Sequence, residues 1–138
     1  MTQPLPPSLH LPAALERQLW QHARREWPQE CVGVLGGVYL AAEQWQAHTL
    51  YPLLNVAADS GREYLAHGPD VLRALGAMRA EKLELVAIYH SHPHGPPMFS
   101  RTDQLRAAYD VPHLIADVAS GTLSAFLLPE GRVCRLRR

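Results

Sequence analysis

The sequence predicts a single α/β domain with a mixed β-sheet flanked by helices. Three observations lead there. Apolar stripes at helical spacing alternate with short β-rich runs, 138 residues suit one core, and no repeat, low-complexity tract or linker divides the chain. A chain of this length buries roughly 68% of its unfolded surface and needs no disulfide to hold a core. It is too short for an eight-stranded α/β barrel, which needs about 250 residues. A hydrophobic fraction of 47% argues against disorder.

Residues 1–11 read as a loosely held proline-rich lead-in, and residues 12–138 as the domain. Pro12 suits the first turn of a helix, in which Leu15, Leu19, Ala23 and Trp27 form an apolar stripe that Pro28 stops. Cys31 to Gly37 reads as a buried strand with a glycine turn. The β-branched and aromatic content from Val38 to about Val56 predicts one or two more strands. After a loop at Asp59-Ser60-Gly61, Pro69 and Asp70 open a second helix, with Val71, Leu72, Leu75 and Met78 facing inward and an end near Lys82. Leu83 to Tyr89 predicts a central strand running into the proline-dense loop His90 to Pro97. A third helix is expected after Ser100, carrying Leu105, Ala108 and Tyr109 and stopping before Pro112. His113 to Val118 is another strand. Leu123–Leu128 and Arg132–Leu136 flank Pro129-Glu130-Gly131 as a terminal hairpin.

Thirteen basic and thirteen acidic side chains leave no whole-molecule field to draw in nucleic acid or an anionic membrane. The arginines at 132, 135, 137 and 138 read as a solvated tail able to meet an acidic partner. Two cysteines, Cys31 and Cys134, are no disulfide framework. No apolar run approaches the roughly 18 residues of a membrane span. The start, Met1 to Pro7, lacks the basic and apolar regions of a signal peptide, so the expected location is the cytoplasm.

The chemistry concentrates between His90 and Asp103. Two residues apart at the end of a strand, His90 and His92 leave on the same face and can chelate one divalent ion. Asp103 would return from the first turn of the next helix as an oxygen ligand. Two histidines and one carboxylate leave a fourth tetrahedral position for water, the pattern of a catalytic rather than a structural zinc site. Zinc can lower the pKa of such a water to about 7. Plainer roles stay open on spacing alone: a surface histidine pair, and a Ser100-x-x-Asp103 capping pattern that serves only the helix.

Taken whole, His90-x-His92, seven residues and Ser100-x-x-Asp103, with the upstream Glu30-Cys31-x-Gly33-x-Leu35-x-Gly37, resembles the JAMM (MPN-plus) metalloprotease family, especially its small prokaryotic members. Asn55, the Pro69-Asp70 helix start and the closing hairpin extend the resemblance from about residue 12 to 138. It implies a single MPN (JAMM) domain of cytidine-deaminase-like architecture holding one zinc ion per chain. By similarity, His90, His92 and Asp103 are the metal ligands, Glu30 the general acid/base, and Ser100 the hydroxyl that stabilises the tetrahedral oxyanion. Glu30 is also the only carboxylate between Pro28 and Leu40. Members hydrolyse amide or isopeptide bonds at the carboxyl end of ubiquitin-like or sulfur-carrier proteins, after Gly-Gly, which makes such a carrier the expected substrate.

The resemblance leaves room for a homodimer, for which Trp20, Trp45 or exposed leucines would supply the interface. It also leaves two other readings, a non-catalytic MPN scaffold that binds partners and a hydrolase of cell-wall peptides. Such scaffolds typically lack the ligands this chain keeps, and no export signal or wall-binding module supports the second. Two departures from the family stand out: Phe99 replaces the proline common before the serine, and His94 adds a third histidine. No covalent intermediate is needed, so Cys31 reads as a core or pocket-wall residue, with metal contact by its thiolate as the alternative.

Overall fold

A computed structural model describes residues 5–138. Eight strands form one mixed sheet: β1 (Ser8–His10), β2 (Val32–Ala41), β3 (Gln44–Leu53), β4 (Glu84–His92), β5 (Pro112–Asp117), β6 (Thr122–Leu127), β7 (Arg132–Val133) and β8 (Arg135–Arg137). Helices α1 (Ala13–Glu26), α2 (Gly68–Ala80) and α3 (Arg101–Leu105) complete the domain. The strand order is β7-β6-β5-β4-β2-β3-β1-β8. Only Cys134 separates β7 from β8, so the two ends of that order meet at one residue and the sheet must curl. The Cys134 N–H donates to the Ala125 carbonyl and the Arg135 N–H to that of Pro7, which ties the closure. Among the described residues, no helix is long and apolar enough to cross a membrane.

One face of the sheet packs on α1, which contributes Leu15, Leu19, Trp20 and Ala23 to a core with Leu35, Trp45, Tyr89 and Leu114. Against the other face, α2 sets Ala74 and Met78 on Val32, Val34, Leu53 and Ile88. Both central tryptophans are thus spent in the core, and neither Trp20 nor Trp45 is offered as an interface.

Several expectations need correction. The lead-in is not loose throughout, because Ser8–His10 pairs in parallel with both β3 and β8 and Leu9 is fully buried. Residues 1–4 of that lead-in lie outside the described residues. Gly36 and Gly37 form no turn; they sit in β2 at shifts of register, and a Cβ on Gly37 would overlap the Gln46 carbonyl. The chain turns instead at Ala42-Glu43, where Glu43 takes φ 55°. The α1 stripe ends at Ala23, and Trp27 caps the helix half exposed.

On α2 the inward face is Val71, Ala74 and Met78, while Leu72 is 72% exposed. Helix α3 stops at Leu105, short of Ala108 and Tyr109, and Leu105 points outward. The expected second hairpin arm splits: only β7 returns to β6, and β8 crosses to β1. Nor is the basic tail free, since Arg138 pairs with Glu16 on α1 and Arg132 with Glu43.

Strand β4 lies between antiparallel β2 and parallel β5. Tyr89, fully buried on the α1 side, fills space that a side chain at Gly33 of β2 would need, and its hydroxyl meets His22 Nδ1 at 2.7 Å. Gly33→Ala should therefore destabilise the fold by about 2 kcal/mol or more, read as a lower urea midpoint at unchanged m value. An unaltered midpoint would mean that the Tyr89 ring is not held there.

Candidate active site

Period-two geometry sends His90 and His92 out of the same face at the C-terminal end of β4. Their Nε2 atoms approach to 3.1 Å, with ring planes 61° apart. The chain then crosses from β4 to β5 through residues 93–111 and carries α3 over these rings. Asp103 Oδ2 comes to 3.2 Å from His90 Nε2 and 3.3 Å from His92 Nε2.

The capping pattern and the metal pattern are both realised. Ser100 Oγ accepts the Asp103 N–H at 3.0 Å, while Asp103 Oδ2 accepts the Ser100 N–H at 2.7 Å. The cap aims the carboxylate at the histidines.

Glu30 reaches the same point from the segment between α1 and β2. One of its carboxylate oxygens and the two imidazole nitrogens lie within 4.8 Å of one another. Its backbone is pinned twice: the N–H donates to the Ser60 carbonyl at 2.7 Å, and the carbonyl accepts from Asn55 Nδ2 at 2.9 Å. The same Asn55 amide donates to the Glu63 carbonyl and accepts from the Ala57 and Leu65 N–H groups, so one side chain organises the loop after β3 around Glu30.

The electrostatics suit a cation. His92 Nδ1 lies 2.8 Å from the Pro96 carbonyl; as a donor there it leaves the Nε2 lone pair facing Asp103 and His90. Burying several acceptors around one point is costly unless a positive charge sits among them. Ligands on a tetrahedral ion with bonds of about 2.0–2.1 Å stand about 3.3–3.4 Å apart, close to the three distances found. The donor set therefore fits a zinc-sized ion, and the buried group could hold one.

Burial pushes Asp103 up, but the two imidazoles and the Ser100 N–H hold it well below the usual carboxylate range. For His90 burial prevails and lowers its pKa. Burial also pulls His92 down, but Asp103, the Pro96 carbonyl and Glu30 outweigh it and raise the pKa. Glu30 is pushed up to about 7, first by burial, with His92 opposing and Asp103 and Glu63 adding. Among the described residues its Oε1 has no hydrogen-bond partner, which leaves it free for a proton.

A cleft of about 330 Å³ opens onto the site, bordered by Glu30, Arg62, His92, Met98, Phe99 and Ser100. The Ser100 hydroxyl proton stays available there, because Oγ serves the cap only as an acceptor. Phe99, one wall of the cleft, is partly buried and lies edge-on to Phe126 at 4.9 Å. His94 is exposed and lies edge-on to Trp27 at 5.8 Å. Cys31 belongs to the α1-side core, and burial raises its thiol to about 11.

Sequence reasoning missed Tyr64, whose ring lies 4.6 Å from that of His90 at 32°, and whose hydroxyl burial raises to about 12. It also missed Arg106, which joins the Asp103 segment to the loop through Glu63 at 3.3 Å. Neither residue carries a periodic or motif signal; only the partners brought to them by the fold mark them.

The family described as "Prokaryotic homologs of the JAB domain" matches residues 12–128. Similar sequences include a "Probable TtuB-protein conjugate cleaving protease" of Thermus thermophilus, 38% identical over 90% of this chain and 78% of that protein. A "Desampylase" of Haloferax volcanii is 33% identical over 73% of each. Among solved structures, a Desulfitobacterium hafniense protein shares the fold at TM-score 0.81 and 25% identity, covering 94% of this chain and 93% of its own. A Salinibacter ruber protein does so at 0.67 and 24%, covering 95% and 91%. The match over nearly the whole domain, together with the convergence of Glu30, His90, His92 and Asp103, places the chain in one family: it belongs to the prokaryotic homologs of the JAB domain.

Proposed function

We propose that this protein is a zinc-dependent peptidase or isopeptidase of the cytoplasm, cleaving amide bonds after the C-terminal Gly-Gly of ubiquitin-like or sulfur-carrier proteins. The observation that carries the reading is the approach of His90, His92 and Asp103 to 3.1–3.3 Å of one another, with the buried Glu30 carboxylate beside them at the floor of a cleft. Two relatives bearing the names of a conjugate-cleaving protease and a desampylase support the substrate class.

His90, His92 and Asp103 would hold the ion. When bound, zinc supplies Lewis acidity and an acidified water. Glu30 Oε1 accepts a proton from the attacking water and returns it to the leaving amine, a role suited by a pKa pushed up to about 7. Ser100 directs its free O–H at the developing oxyanion. The Asn55 and Ser60 contacts keep Glu30 in place, and the α3 cap orients Asp103.

The decisive experiment is intact-mass spectrometry of a sulfur-carrier protein from the same genome, extended past Gly-Gly by a short peptide. Wild type should release the extension after the second glycine. Glu30→Gln should retain zinc but turn over about 10²–10⁴-fold more slowly. Equal rates would remove Glu30 as the base, and no cleavage by zinc-loaded wild type would overturn the substrate assignment.

Because the ion should bind only the folded chain, chelation should lower the melting temperature. An unchanged melting temperature after verified metal removal would count against a site coupled to the fold.

Metal-free protein gives a third check. A carboxyl whose folded pKa is raised keeps its proton on folding, so its contribution to stability falls as pH rises from about 4.5 to about 7. Glu30→Gln should remove that loss. In urea unfolding, its stability advantage over wild type should widen from pH 5 to pH 8, on the order of 1 kcal/mol or more. An advantage that does not change with pH would show that Glu30 is not buried as a charge.

A further inference from the structure

His90 and His92 differ in what stands behind them. A histidine whose Nε2 faces a metal carries its proton on Nδ1, and that N–H needs an acceptor to set the tautomer and the ring angle. For His92 the Pro96 carbonyl serves, 2.8 Å from Nδ1. For His90, which is fully buried, Nδ1 has no partner among the described residues. A buried donor left unpaired costs as much as a lost hydrogen bond.

Besides the Glu30 carboxylate at the cleft, another buried side chain has a matching gap. His113 of β5 is 2% exposed; its ring nitrogens make no hydrogen bond of ordinary geometry among the described residues, and the Tyr109 backbone lies close enough to favour its charged form. Parallel pairing aligns His113 with Ile88, and Ile88 stands two residues before His90 on β4. Period two then puts His113 and His90 on the same face of adjacent strands, diagonal neighbours at roughly 7 Å between Cβ atoms. At that separation the two rings make no hydrogen bond to each other, and one water would join them.

The His113 ring borders an apolar cavity of about 260 Å³, shared with Tyr64, whose ring covers His90. The cavity is wide enough for a water, and His113 together with the His90 Nδ1–H would give that water two polar partners. Burial lowers the pKa of His113, and His90 is the ionisable side chain with the largest influence on it. A neutral imidazole offers one lone pair to accept with.

We propose that His113 is a positioning residue for the metal centre, accepting through one bridging water the hydrogen bond that His90 Nδ1–H must donate. The inference rests on His90 being a ligand, as the proposed function has it. Zinc affinity, measured by competition with a chromogenic chelator, tests it on wild type, His113→Gln and His113→Leu. Glutamine retains an acceptor and should bind within about threefold of wild type. Leucine removes it and should weaken binding about 10- to 100-fold, with a shifted absorption band for the cobalt-substituted protein. His113→Leu binding zinc within twofold of wild type would overturn the proposal.

If His113→Leu fails to fold, long-range ¹H–¹⁵N correlation of the histidine rings in zinc-loaded wild type decides. One fixed His113 tautomer with an accepting nitrogen is expected, and exchanging tautomers would overturn the proposal. Failure of the metal reading itself would look different: wild type would not bind zinc tightly.

Discussion

Strand β4 is hydrogen-bonded to β2 on one side and to β5 on the other, and ahead of its histidines α1 and α2 pack against its two faces. His90 and His92 leave this strand on one face, so their positions follow from the sheet and not from a loop. A site built on a strand held from four directions keeps its geometry without help from a ligand.

Everything else at the site is delivered to this fixed edge. Asp103 arrives on a helix of only five residues, too short to be stable alone, and the reciprocal Ser100 cap compensates. Glu30 arrives on a connection whose carbonyl and N–H are each anchored to the loop after β3. Asn55 is the keystone of that loop, with its amide and carbonyl meeting four backbone groups. Arg106 ties the loop to the Asp103 segment through Glu63. The two arms that bring carboxylates to β4 are thus tied to each other.

The arrangement carries an energetic cost. Glu30 is 5% exposed with an unpartnered oxygen, and Asp103 lies beside it under a pair of imidazoles. Groups held in this way destabilise the empty fold and become favourable once a cation and a proton acceptor are needed together, a common trade between stability and activity. The tight packing beneath, where Tyr89 leaves no space for a side chain at Gly33, offsets part of that cost.

Local information alone determined much of this protein. Helix α1 and strand β4 were legible because apolar spacing and period two are properties of neighbouring residues. The grouping of Glu30, His90, His92 and Asp103 was legible through the family resemblance that their motif carries, since spacing alone left plainer roles open. Read from the chain alone, β1 was a loose lead-in, the Gly36-Gly37 bulge a turn, and β8 one arm of a hairpin. Each of these depends on a partner distant in sequence: Leu9 on Trp45 and Leu136, Gly37 on the close approach of the Gln46 carbonyl, and Arg135 on Ser8. The faces of α2 and the short α3 likewise depend on what packs against them. Tyr64, Arg106 and His113 bear no local mark at all. The sequence by itself determined which groups could do chemistry, because donor type and spacing are local; only the tertiary structure decided what orients and buries them, because burial and hydrogen bonding belong to pairs of residues that folding brings together.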